Sequence, residues 1–558
     1  MRTFKRRYPP WMIGKPLLYA SSALASLGDA MFGYSQGVIA AAQIQPSFIK
    51  RMYGPSLTLQ QVQSGDNGVN PFLQAIVVAC LNITALLASI ASAYVCDKLG
   101  RRASVRGGAF IYFVAAIIQI FMPNLATLFV GRCIQGIGVG MLSMTVPILQ
   151  CEIAPGHGRG LFVSIEYFFL NSGYALSAWV GYGFFFKMPS EIAWRGPYIV
   201  QAGLAAILFI WTFYLPETPR WLIQHGYREE GLQVLADLHG SGDISDPLIV
   251  RQFVDMETTI LLENKLGQVT WGELFRFYPR RVMVGVSCQQ FAQTNGINAL
   301  LYFLPENLAR AGFTLDRSLL YAGACALIYC AGTIPTMFFI DSWGRRPFLL
   351  YGSIGLAASL AAMGGLQFHS DKIPDGPARL PTADGYFAAV CVYLFIFGAT
   401  WGPGPWLLSA EIFPVRARAK GMALATSTNW LFNFILAFIT PPLFAVIGGG
   451  FYFILLASCL CGGFMVWKFY PETSGRTLEE LGDVFGDGKV DVPIDEKVDG
   501  HRVVGREEVR EPGPLVDAAS GLVASSEATL PVDGMASGQL QVKSLAESES
   551  SGKLGKGN

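Results

Sequence analysis

Residues 70–102 read NPFLQAIVVACLNITALLASIASAYVCDKLGRR. No charged side chain interrupts the run from Asn70 to Cys96, and then Asp97, Lys98, Arg101 and Arg102 arrive together. A helix that crosses the hydrocarbon core needs roughly 20 mostly apolar residues, because its backbone polar groups must bond within the segment. The run therefore predicts a spanning helix that ends on a basic turn. Outward from it, further apolar segments fall near 16–42, 104–122, 125–151, 160–186, 196–215, 282–309, 318–340, 347–368, 385–410, 421–446 and 449–470, twelve in all with 70–96. The expected fold is an all-α membrane protein of twelve transmembrane helices in two pseudo-symmetric halves of six. Composition agrees: 52% of the 558 residues are apolar and 15% charged, with a mean hydropathy of +0.39, where a soluble domain carries about a quarter charged residues. A formal net charge of +1 gives no sign of a nucleic-acid partner.

Lys and Arg collect in cytoplasmic loops. One set of short connections holds Lys98, Arg101, Arg102, Arg106, Arg159, Arg345, Arg346, Arg416, Arg418 and Lys420, and the basic start of the chain belongs with it. Both termini are expected in the cytoplasm. The start lacks a short apolar stretch with a small-residue cleavage site, so the first apolar segment is expected to stay in the membrane. The chain divides into a cytoplasmic start (1–15), a first half (16–215), a cytoplasmic helical linker (216–281), a second half (282–472) and a cytoplasmic tail (473–558). The Gly, Ser, Glu and Lys content of the tail predicts disorder after about residue 490. The ten cysteines have no metal-ligand spacing and mostly sit in apolar stretches, where they read as small core hydrophobes. No metal or cofactor is expected, and no nucleophile–base pattern or phosphate loop points to an enzyme.

The halves repeat each other. Gly100-Arg101-Arg102 recurs as Gly344-Arg345-Arg346, Glu152 and Arg159 as Glu411 and Arg418, and Pro216-Glu217-Thr218 as Pro471-Glu472-Thr473, at offsets of 244, 259 and 255. Parallel six-helix repeats describe transporters that rock around a midplane site. The repeated charges, Arg101, Arg102, Glu152, Arg159 and Glu217 with Arg345, Arg346, Glu411, Arg418 and Glu472, lie at helix ends on the basic side. One reading makes them snorkelled anchors. The other makes them ion pairs that hold the cytoplasmic gate shut and break when it opens.

Polar side chains within spans are costly and mark function. The seventh span reads Cys288-Gln-Gln-Phe-Ala-Gln-Thr-Asn-Gly-Ile-Asn298. Gln289 and Gln293 are four apart on one helical face, with Gln290 and Asn298 at its edges. Amides donate and accept, as a ring of hydroxyls requires. The alternative use is bonding between helices.

These motifs resemble the sugar porter branch of the major facilitator superfamily, from about Leu27 to Phe485. The resemblance rests on Phe32-Gly-Tyr34, Asp97-Lys-Leu-Gly-Arg-Arg102, Gly131-Arg132, Glu152-Ile-Ala-Pro155, Pro216-Glu-Thr-Pro-Arg-Trp-Leu222, Gly296-Ile-Asn298, Trp401-Gly-Pro-Gly-Pro-Trp406, Asn429-Trp430 and Pro471-Glu-Thr-Ser-Gly-Arg476. It implies alternating-access transport of a sugar, a monosaccharide such as glucose, by a monomer in the plasma membrane. It also implies Gln293, Asn298 and Asn429 as hydroxyl-binding amides, Trp406 as an aromatic floor under the sugar, and Tyr302 as a tyrosine gating the outer side. Two departures stand out. The family's paired glutamines fall here on Ala292 and Gln293, with Gln289 and Gln290 one turn earlier. Its glutamine on the fifth span is Tyr167, preceded by Glu166.

Proton-coupled members of that branch carry an aspartate directly after Phe-Gly-Tyr, paired with the arginine that is Arg132 here. This chain has Ser35 instead. Facilitated diffusion is the simplest implication. Asp29 and Glu166 both lie in predicted spans and are the alternative proton sites. Asp29 is six residues before Ser35, about 240° around a helix, and so faces elsewhere. A non-transporting sugar sensor, and a porter for a disaccharide, polyol or quinate-like compound, are the competing functions.

Overall fold

The computed structural model describes residues 8–54, 69–155, 159–267, 269–370, 372–373, 377–474, 481 and 484–485. Among them the architecture is helical. The first half holds α1 (Lys15–Gln43), a short α2 (Pro46–Tyr53), α3 (Pro71–Leu99), α4 (Arg101–Ile120), α5 (Leu125–Ile153), α6 (Arg159–Phe185) and α7 (Ile192–Trp211). The linker carries α8 (Pro219–Gln224), α9 (Arg228–His239), α10 (Pro247–Leu266) and α11 (Trp271–Phe277). The second half begins with α12 (Pro279–Thr294), α13 (Ile297–Leu301) and α14 (Leu304–Ala311), continues with α15 (Leu315–Trp343), α16 (Arg345–Ser370), α17 (Leu380–Ala399) and α18 (Pro403–Ile412), and ends with α19 (Val415–Ile447) and α20 (Gly450–Phe469).

Nine described segments are long and apolar enough to cross a membrane, with α17 and α18 together forming one of them. Helices α1 and α6, and the pieces α12–α14, occupy the remaining expected positions. Their polar residues are buried inside the bundle, among them Ser26, Asp29 and Gln36 on α1 and Gln289 and Gln293 on α12. Leu87, Tyr94, Phe338, Tyr351 and Trp467 point outward, which is stable where the surroundings are lipid.

Local chemistry sets the ends. The Asn70 side chain accepts from Phe72 N–H with Pro71 in the first turn of α3, and Thr270 and Glu273 close a capping box on α11. Gly100 and Gly344 end α3 and α15 at φ of 96° and 89°, backbone that L side chains rarely adopt. One expectation is corrected: the seventh span is not a continuous helix. It breaks at Gly296, at φ 101°, where a Cβ would strike Leu455. Helical spacing therefore does not carry from Gln293 to Asn298. The tenth span is interrupted as its glycines and prolines imply, between Ala399 and Pro403.

Helix α1 packs on α6, and α3 and α4 on α5, in the first half; α16 packs on α17 and α20, and α12 on α19, in the second. The halves meet where α3 lies on α19 and α6 on α15. The tail expected to be disordered after residue 490 lies outside the described residues.

Candidate functional site

Where the halves meet, four amides join in a chain. Gln293 Nε2 donates to Asn429 Oδ1 at 2.6 Å, Asn298 Nδ2 to Gln293 Oε1 at 2.5 Å, and Gln36 Nε2 to Asn298 Oδ1 at 2.9 Å. The break at Gly296 makes this possible, because it turns Asn298 back toward the Gln293 side chain. Gln289 is fully buried one turn below, and its one bond is a 3.5 Å contact to Ser409. Gln290 is half-buried and has no hydrogen bond in this cluster. A second polar step lies alongside: Tyr302 donates to Asn82 Oδ1 at 3.2 Å, and Asn82 donates to Asn433 at 3.0 Å. Every member is buried, so each unmade bond costs the cluster its desolvation.

Aromatic rings bound these amides. Tyr167 and Tyr329 share a hydroxyl–hydroxyl bond of 2.6 Å across the halves, and a Cβ on Gly402 would strike the Tyr167 ring. The interruption of the tenth span thus gives Tyr167 its space. Phe32 meets Trp430 edge-on with centroids 5.0 Å apart. Trp406 packs on Val163, Ile340 and Leu407.

At the basic end each half closes a clamp. Arg101 grips Glu152 with Nη2 at 2.8 Å and Nε at 3.0 Å, and Glu217 accepts from the backbone N–H groups of Arg101 and Arg102 at 2.9 and 3.2 Å. In the second half Arg345 grips Glu411 at 2.7 and 3.1 Å, and Glu472 accepts from Arg345 and Arg346 N–H at 2.9 and 3.0 Å. Thr218 and Thr473 complete the pairs by donating to Glu152 and Glu411 at 2.6 and 2.8 Å. Burial raises the Glu217 carboxyl above the usual glutamate range, while the N–H groups of Arg102, Thr218 and Arg101 oppose the shift. These bonds stay inside one half, so they tie a half's helix ends together and do not bolt the halves across. Arg418 is half-buried; the Arg159 side chain lies outside the described residues. Across the halves at this end, Met144 packs on Met422. At the opposite end Gln74 donates to Glu306 at 2.7 Å, and Glu306 pairs with Arg310 at 2.9 Å.

A family profile described as sugar (and other) transporter matches residues 21–485. The chain belongs to the sugar transporter family. The MFS glucose transporter mfs1 of Aspergillus flavus is 30% identical over 502 residues, covering 84% of this chain and 90% of that protein. High-affinity glucose transporter 1 of Candida albicans is 32% identical over 426 residues, covering 74% and 78%. The proton:xylose symporter XylE, solved with 6-bromo-6-deoxy-D-glucose, superposes with a TM-score of 0.70 at 25% identity, covering 84% of this chain and 99% of that one.

Within this sugar porter, the position after Phe32-Gly-Tyr34 carries no ionisable carboxyl. Ser35 Oγ donates to the Phe32 carbonyl of its own helix at 2.7 Å. Arg132 is fully buried and turns to the backbone instead, donating to the Val77 and Val78 carbonyls at 2.6 and 3.2 Å. The two carboxyls singled out as alternatives lie side by side, Asp29 on α1 against Glu166 on α6. Sequence reading missed Gln36, Gln74, Asn82 and Asn433. Their signal was present, since each is an amide in an otherwise apolar span. Tyr329 gave none, because nothing in its span distinguishes it from a packing aromatic.

Proposed function

We propose that this porter carries a monosaccharide, glucose first among them, across the plasma membrane by alternating access. The observation that carries this reading is the buried chain Gln36–Asn298–Gln293–Asn429, which draws one amide from the first half and three from the second. Sugar hydroxyls can replace those amide–amide bonds one for one, since each amide both donates and accepts. Glucose is what both fungal relatives are named for. In this reading Gln289 and Gln290 extend the site toward the basic end, Tyr167 narrows it, Tyr302 covers its outer side, and Trp406 supports its floor through apolar packing.

Segments 16–215 and 282–472 rock as two bodies, with the linker 216–281 bracing the basic end. That end faces the cytoplasm with both termini, and the protein works as a monomer. The Arg101 and Arg345 clusters then hold each body's helix ends in register and loosen as the cytoplasmic side opens. The test is uptake of radiolabelled glucose in a host stripped of its own hexose transporters. Saturable uptake that unlabelled glucose competes is expected. Expression at the surface without uptake of any monosaccharide would end this reading and bring forward disaccharides, polyols or a sensor.

A further inference from the structure

On α1 and α6 a single register brings two acids together. Gly33 stands against Leu170 and Gly37 against Tyr174, so closely that a Cβ on Gly33 would fall on the Leu170 carbonyl. From the other side a Cβ on Gly173 would fall on the Ala30 carbonyl. The backbones therefore touch, and the same offset one turn earlier places Asp29 beside Glu166. Both are buried, at 3% and 9% exposure. Asp29 Oδ2 and Glu166 Oε2 are buried without a hydrogen-bond partner. A hydrogen bond between two facing carboxyls requires at least one proton, on the group that donates O–H, and lets the accepting group be a carboxylate.

Among the described residues no cation neutralises the pair. Several charged groups on the helices packed around it are held by partners elsewhere. On α5, Arg132 is held by Val77 and Val78 carbonyls and Glu152 by Arg101. On α7 Arg195 pairs with Glu191, on α15 Asp341 pairs with Arg345, on α14 Glu306 pairs with Arg310, and on α9 Asp237 accepts from Tyr8 and His239 bonds the Ile153 carbonyl. With the proton removed, two like charges would face each other across a contact that the glycines keep closed.

We infer that Asp29 and Glu166 form one proton-binding site, and that it couples sugar movement to one proton in place of the missing aspartate after Tyr34. The inference rests on the sugar-transport reading above. Its position suits the role. Asp29 lies seven residues before Gln36, about 10 Å along α1, and Glu166 directly precedes Tyr167, whose hydroxyl bonds Tyr329 of the other half. Rocking of the halves thus passes through both neighbours of the pair. The closed α1–α6 contact tolerates the pair with its shared proton and resists it without one. The transporter accordingly loads a proton from outside with its sugar and releases both inside.

Purified full-length protein in vesicles with an alkaline interior tests this directly. One proton per sugar and a gradient of one pH unit should give about tenfold accumulation, and sugar addition should alkalinise the medium. Asp29→Asn, Glu166→Gln and the double variant should each bring accumulation to about onefold and abolish the alkalinisation. Counterflow of labelled against unlabelled sugar needs no net proton movement and stays measurable in the same vesicles, which separates lost coupling from lost folding. Wild-type protein with counterflow but no sugar-driven proton movement would overturn the inference and leave sugar transport standing. Alkalinisation that survives in the double variant would overturn the pair as its site. Absent counterflow in wild type would overturn sugar transport, and the inference with it.

Discussion

Replacing Gln293 with leucine keeps the volume of the side chain and removes both of its bonds, the one given to Asn429 at 2.6 Å and the one taken from Asn298 at 2.5 Å. If this amide binds the sugar, two hydroxyl contacts are lost, worth about 0.5–1.5 kcal/mol each. Part of that loss is returned. In the wild type the sugar must first displace Asn429 and Asn298 from Gln293, whereas in Gln293→Leu those two amides stand ready for hydroxyls. The net loss should be about 1–2 kcal/mol, a rise of roughly 5–30-fold in the half-saturation concentration. Initial rates of glucose uptake, normalised to surface protein, measure it. Asn429→Leu should cost a similar amount, and the double variant less than the sum by about 0.5–1.5 kcal/mol, since each single change already breaks the shared bond. A half-saturation concentration within twofold of wild type for Gln293→Leu, or strict additivity in the cycle, would refute the reasoning.

Three further outcomes are expected. Gly100→Ala forces an L residue to φ 96° and drives its Cβ into the Glu217 carboxylate, so it should lower the thermal midpoint more than Gly54→Ala, which has a φ of 91° and open space around it; equal midpoints would show that the clamp contributes nothing. Tyr167→Gln removes the bond to Tyr329 and opens room beside Gly402, so a competition panel should show the relative half-saturation for bulkier sugars falling several-fold, and an unchanged order of sugars would remove Tyr167 from the site. Glu306→Ala deletes the acceptor for Gln74 and Arg310 and should speed labelling of an Ala40→Cys variant by a membrane-impermeant maleimide; unaltered labelling would show that this contact does not close that end.

The sequence was legible wherever one residue type performs one physical task. Apolar runs of spanning length located the helices, and the Gly-Arg-Arg, Glu and Pro-Glu-Thr repeats announced the two clamps before any geometry was known. Gln293 and Asn298 were legible because amides within an apolar span demand partners, while Asn429 came from the family resemblance. What stayed hidden depends on backbone direction. The break at Gly296 cannot be read from a lone glycine in a chain holding 62 of them, yet it decides which amides meet. Spacing placed Gln289 and Gln293 on one face, but the bonds run from Gln293 across the break. Asp29 and Glu166 were each visible as acids in a span, while their contact depends on how closely Gly33 and Gly173 let α1 approach α6.

The clamps and the site obey opposite symmetries. Arg101 and Arg345 repeat each other's grip on a glutamate, down to the third bonds to the Cys96 and Ile340 carbonyls at 3.3 and 3.2 Å. An element that must behave alike in two rocking bodies gains from such duplication. The amide chain is lopsided: Gln36 alone comes from the first half, facing three amides of the second, and the carboxyl pair lies wholly within the first. A sugar held mainly by one half, and a proton held by the other, would each be insufficient to close the transporter alone. Closure would require both, because Gln36 and Asp29 share α1 and move together, so a filled sugar site draws the proton pair into the same closed arrangement. That mechanical link through α1 is what would make an uncoupled leak of either cargo slow.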